Sequence, residues 1–213
     1  MSKILYRLCA KIQGKGAGWR KTLGLCLCAV WIFVGLTGCG NASVPDAQSA
    51  LCEQFAQART LYFAVYGDGF AYDETVEIPS STAAFYVRVT EDAPYQSCAA
   101  FREAIRKTYA ASQAETLCYL AFDGDTENRI SPRYKDDEDG KLCVNVKMTP
   151  LLPGIGATAD LTCVTGEAIS NYAVRFTVLF SAGGVEIPQS VTMQKEDGVW
   201  KFDSPPYCSE NPV

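Results

Sequence analysis

Histidine is missing from all 213 residues of the chain. Its absence excludes Ser-His-Asp and Cys-His triads, histidine-bearing metal sites and the HExxH zinc helix together. Neither a P-loop nor a GxGxxG pattern is present, so no glycine-rich cradle for phosphates is encoded. No two cysteines stand in CxxC spacing, which removes the commonest zinc framework as well. Acidic residues are absent before Cys39, and charge of either sign is absent from Thr22 to Thr37. No apolar run reaches the roughly 20 residues that span a bilayer as a helix.

What the first 38 residues do contain is a basic start and a short apolar middle. Lys3, Arg7, Lys11, Lys15, Arg20 and Lys21 precede the stretch "LGLCLCAVWIFVGL". That order is the physical signature of a secretory signal peptide. Leu36-Thr37-Gly38-Cys39 is similar to the lipobox of bacterial lipoproteins, in which the cysteine thiol is acylated before cleavage. The resemblance makes Cys39 the lipid-bearing first residue of the mature chain, and more than one acyl chain anchors stably where one is marginal. The alternative is an uncleaved N-terminal anchor in which Cys39 is ordinary. Both place residues 40–213 outside the cytoplasm, and the lipoprotein form puts them on the outer face of the cytoplasmic membrane of a Gram-positive bacterium. The expected organisation is a signal peptide over 1–38, a lipidated tether over 39–46, a single domain over 47–208 and a tail over 209–213.

Removing the basic leader leaves 13 bases against 24 acids, a net charge of −11 where the full chain carries −5. Such a surface repels nucleic acid and favours basic partners. Six further cysteines remain: Cys52, Cys98, Cys118, Cys143, Cys163 and Cys208. They permit up to three disulfides in an exported protein. Cys118 ("TLCYL") and Cys163 ("LTCVT") instead stand among apolar neighbours as small core residues, which points to mostly free, buried thiols.

Apolar residues recur at helical spacing from Asp46 to Tyr66, and Gly67-Asp68-Gly69 stops that helix. "AFYVRVT" alternates as a strand, with Phe85, Val87 and Val89 on one face and Tyr86, Arg88 and Thr90 on the other. Ser97 caps a helix running to about Tyr109, and Ser112-Gln113-Ala114-Glu115 forms a capping box before a second. Glu138-Asp139-Gly140 and Glu196-Asp197-Gly198 each suit a type I′ hairpin turn. "KLCVNVKM", "ADLTCVT", "SNYAVRFTVLFS", "VEIPQSVTMQK" and "VWKFD" then read as five strands of an antiparallel meander. Pro188 marks the fourth as an edge or a bulge. Helices followed by strands predict an α+β domain with the N-terminal helices packed on a curved antiparallel sheet, of the kind seen in cystatin-like and NTF2-like domains.

Two acid-rich stretches are the candidates for function. "DGDTEN" begins like an EF-hand loop but lacks the glycine at the sixth position, and Ile130, Pro132 and Lys135 fall where ligands belong. Asp136, Asp137, Glu138 and Asp139 form a four-carboxylate run at a turn. It is either a solvated turn that blunts an edge or an acidic protrusion that docks on a basic partner. Nothing in the chain points to a catalytic residue, a metal or a cofactor.

The series "FYVRV", "CAAFREAIRKTY", "SQAETLCYL", "DEDGKLCVNV" and a meander ending "EDGVWKFDSP" resembles the IseA family over about residues 50–204. Members are exported inhibitors of the D,L-endopeptidases that cut peptidoglycan stem peptides. The resemblance implies a non-catalytic protein that occludes the active-site cleft of an NlpC/P60-type autolysin, a cell-wall hydrolase. A ligand-binding NTF2-like module that holds a small apolar molecule or wall fragment is the alternative. The anchor is checked by labelling cells with a radioactive fatty acid: the wild-type chain takes up label, and Cys39→Ser does not.

Overall fold

A computed structural model of the chain describes residues 43–124, 130–152, 157–182 and 184–208. The first element, α1, spans Val44–Tyr66. Ser43 caps it by accepting the Asp46 N–H at 3.4 Å, with Asp46 at the positive end of the helix dipole. Residues 44–46, expected in the tether, are therefore its first turn. Ala47, Leu51, Phe55, Ala58, Leu61, Ala64 and Val65 line the buried stripe. Gly67 ends the helix because the chain doubles back too tightly for a side chain: a Cβ there would lie 2.8 Å from the Phe63 carbonyl oxygen.

Strand β1 (Tyr86–Arg88) leads to α2 (Cys98–Thr108) and α3 (Ala111–Cys118). Ser97 caps α2 as expected, accepting the Ala100 N–H at 3.2 Å. The expected capping box does not form. Helix α3 starts one residue before Ser112, because Ala110 is still extended and its N–H donates to the Phe202 carbonyl at 2.9 Å. The carboxylate of Glu196 supplies the missing cap from the sheet, accepting the Ala111 N–H at 3.0 Å. A π-helical turn, Tyr119–Asp123, follows α3.

Among the described residues, seven strands form two antiparallel sheets, so the domain is α+β with helices packed on sheets. The single meander expected over the second half is split. β2 (Tyr134–Asp136) and β1 flank β3 (Leu142–Asn145), with Val144 opposite both Val87 and Tyr134. With both edges taken, β3 cannot extend the other sheet. That sheet is the true meander: β4 (Thr158–Ser170), β5 (Ala173–Ala182), β6 (Val185–Glu196) and β7 (Val199–Phe202). Asp197 (φ 50°) and Gly198 (φ 83°) both take positive φ, as the expected type I′ turn requires. The other Asp-Gly is different. Only Gly140 (φ 72°) is left-handed there, within a longer loop over 137–141. Pro188 lies where β6 has β5 on one side and β7 has ended, so its missing N–H costs no ladder bond.

The core lies between α1 and the meander. Val174, Phe176, Val178 and Phe180 of β5, Val191 and Met193 of β6, and Phe202 of β7 are buried in one cluster with Leu51, Phe55 and Leu61. Phe55 stands 6.2 Å from the rings of both Phe180 and Phe202. The three-stranded sheet joins this core at the other end of α1. There the Tyr134 hydroxyl donates to the Ala64 carbonyl at 2.8 Å and accepts the Phe70 N–H at 3.0 Å. Arg133, 1% exposed, donates through Nη2 to the Gly67 carbonyl, placing its charge at the negative end of the helix. Its Nε and Nη1 have no partner among the described residues.

Tyr134→Phe strands one buried acceptor and one buried donor, and is expected to cost about 1–3 kcal/mol in urea unfolding. Burial pushes the Tyr134 phenol up to about 12. A folded value above the unfolded one, about 10, means stability is intact below pH ~10 and is lost as pH rises toward 12. Tyr134→Phe should flatten that alkaline limb of the melting curve.

Candidate functional site

The acidic run sits where β2 turns into β3, and its four carboxylates have four different surroundings. Asp136 is the last residue of β2, opposite Leu142. Its Oδ1 accepts the Cys98 N–H at 2.7 Å, so this carboxylate caps α2 from outside the helix. Asp137 folds the loop over itself: Oδ1 accepts the Asp139 N–H at 2.9 Å and the Lys141 N–H at 3.0 Å. The guanidinium of Arg88 reaches across from β1 and grips both Asp137 and Asp139, through Nε and Nη2 respectively. Glu138 makes no hydrogen bond or ion pair among the described residues. Three of the four acids thus build the hairpin, and Glu138 is left unpaired among the described residues.

The Lys141 N–H, helped by the Arg88 guanidinium, holds the Asp137 carboxyl below the usual carboxylate range. Cys143, opposite Arg88 in the register, places its Sγ 4.0 Å from Asp137 Oδ2 and 3.6 Å from the Lys141 carbonyl oxygen. Burial, reinforced by the Asp137 charge, pushes that thiol up. Cys98 is pushed up to about 12, by burial first and by the Asp136 carboxylate second. Neither cysteine is a thiolate near neutral pH, so neither is an activated nucleophile.

Beside the hairpin runs an open groove of about 630 Å³. Phe85, Tyr86 and Lys135 line it together with Asp136, Asp137 and Glu138. The Lys135 ammonium lies 4.2 Å from the centre of the Tyr86 ring, and the Tyr86 hydroxyl donates to the Pro132 carbonyl at 2.7 Å. Both contacts hold the tyrosine in place. With the Tyr86 ring already met by Lys135, a cationic side chain entering the groove would find the unpaired carboxylate of Glu138.

The carboxylates were legible in the sequence, but the groove was not. The outward alternation of Tyr86 and Arg88 shows in "AFYVRVT", yet nothing there gives the register that sets Arg88 opposite Cys143. Strand β2 was missed because "YKD" is short and charged.

The remaining candidates contribute less. Cys52, Cys98, Cys118, Cys143 and Cys163 are free thiols. Cys163, expected in the core, is exposed instead, because β4 is an edge strand whose register is irregular between Asp160 and Thr165. Most of the "DGDTEN" stretch, residues 125–128, lies outside the described residues, as does Cys39. Among the described residues, no group of three or more potential metal ligands occurs, and no helix is long and apolar enough to cross a membrane.

Asp137→Asn keeps the loop's Oδ1 acceptor but removes its charge. Because the folded carboxyl titrates below its unfolded value, its stabilising effect is present above pH ~4 and is lost as pH falls. The melting-temperature gap between wild type and Asp137→Asn should therefore be largest near neutrality and narrow as pH falls below the ordinary carboxylate range. No protein-family model and no curated protein matches this chain.

Proposed function

We propose that the protein is a lipid-anchored, non-catalytic inhibitor or regulator of peptidoglycan D,L-endopeptidases of the NlpC/P60 type. It is held by Cys39 at the outer face of the cytoplasmic membrane and acts by occluding the hydrolase. The observation that carries this reading is the pinned acidic hairpin beside a groove lined by Phe85 and Tyr86. Arg88, Asp137 and the Lys141 N–H fix the loop before any partner arrives, so docking does not have to order it. The N-terminal export pattern supports the compartment, and the charge of −11 supports a basic partner. The lack of histidine is compatible with a protein that blocks chemistry performed elsewhere.

The alternative, a small apolar ligand held in the cone of the sheet, finds less support. The inward face of the meander is filled by Phe176, Phe180, Met193 and Phe202 packed on α1.

The soluble domain, residues 43–213, should slow stem-peptide cleavage by at least one D,L-endopeptidase of the host. Inhibition should weaken as salt rises from about 50 mM to about 500 mM, where screening shortens to a few Å. Glu138→Lys should lower the association rate without shifting the melting temperature, since Glu138 supports no internal contact among the described residues. Full activity across a complete panel of these enzymes would rule the reading out.

A further inference from the structure

A second cavity, of about 420 Å³, lies where α2, α3 and the β6–β7 hairpin meet. It is far smaller than a protein-binding surface but falls within the size range of small-molecule sites. Arg102, Arg106 and Lys201 bring positive charge to it, and Glu115, Asp123 and Glu196 bring negative charge. Four of these six are already engaged. Glu196 accepts from Lys201 Nζ at 3.3 Å and from the Ala111 N–H at 3.0 Å. Asp123 pairs with Arg102 at 3.4 Å, and Arg102 also stacks over Phe122 at 4.5 Å from the ring centre. These pairs fix the walls, and the buried side chains of Ala114 and Cys118 form an uncharged floor.

Arg106 and Glu115 are different. They line the same cavity, one on each helix, yet form no ion pair with each other or with any other described residue. Two opposite charges therefore face one cavity without neutralising one another. A molecule carrying both a carboxylate and an ammonium would satisfy the two, with its body over the Ala114–Cys118 floor.

We propose that this cavity binds a short peptide or free amino acid as a zwitterion. The carboxylate goes to Arg106, with the Arg102 guanidinium beside it, and the ammonium goes to Glu115. The site is separate from the acidic hairpin and does not depend on the hydrolase reading. It gives the domain a means of sensing small peptide fragments.

The test uses dialanine with both termini free, N-acetyl-dialanine without the ammonium, and dialanine amide without the carboxylate. Each is titrated into the ¹⁵N-labelled domain and followed by amide chemical shifts. Dialanine should shift the Arg106, Ala114, Glu115 and Cys118 amides saturably, and either blocked form should bind at least ten-fold more weakly. Both residues are exposed, so Arg106→Gln and Glu115→Gln should fold with unchanged melting temperatures. Each should lose about ten-fold for dialanine. Arg106→Gln should bind dialanine and dialanine amide alike, and Glu115→Gln should no longer distinguish dialanine from its acetylated form. Absence of saturable shifts at the cavity, or equal binding of all three peptides to the wild type, would overturn the proposal.

Discussion

The C-terminus of α1 is the constraint on which the two halves of the domain depend. A 23-residue helix leaves its last carbonyls without helical partners, and here they are buried. The chain meets that demand with donors from elsewhere. Tyr134 serves Ala64, Arg133 serves Gly67, and the N–H groups of Leu151 and Leu152 serve Tyr66 at 2.8 and 2.9 Å. Two separate segments, 133–134 and 151–152, are thereby tied to one helix end. Tyr134 matters most, because it also accepts the Phe70 N–H and packs edge-on against Phe101 of α2, with ring centres 5.2 Å apart.

The acidic hairpin follows from that arrangement. Once Tyr134 is fixed, Asp136 two residues later reaches the start of α2, and the loop closes on Arg88 of β1. The carboxylates thus serve structure first. This differs from the simple picture of an acidic run as a free patch of charge. Arg88 pairs with two of the four acids, so the local field is weaker than the composition suggests. What the hairpin leaves unpaired among the described residues is the single carboxylate of Glu138, beside Phe85 and Tyr86.

Local patterns predicted the elements with short-range causes. The stripe from Ala47 to Val65, the Ser97 cap and the Asp197-Gly198 turn each depend on residues a few positions apart, and each forms as expected. Long-range pairings overrode local signals elsewhere. The Ser112 capping box lost to a backbone bond between Ala110 and Phe202. "KLCVNVKM" joined β1 and β2 instead of the meander, because pairing partners are not encoded in alternation. Cys163 looked like core by its neighbours, yet it lies on an edge strand with an irregular register. In the candidate site the acids were visible, but their partner Arg88 stands 49 positions before Asp137 and could not be paired with it from spacing alone.

The domain is organised around one helix end and carries a pre-formed, acid-rimmed groove, which we propose docks on a hydrolase. Amide hydrogen exchange of the domain, alone and in complex with an inhibited D,L-endopeptidase, tests that link most directly. The account predicts that exchange slows on binding at residues 84–88 and 134–143, while β5 and β6 are unchanged. Protection confined to the four-stranded sheet, with the hairpin exchanging as in the free domain, would contradict it.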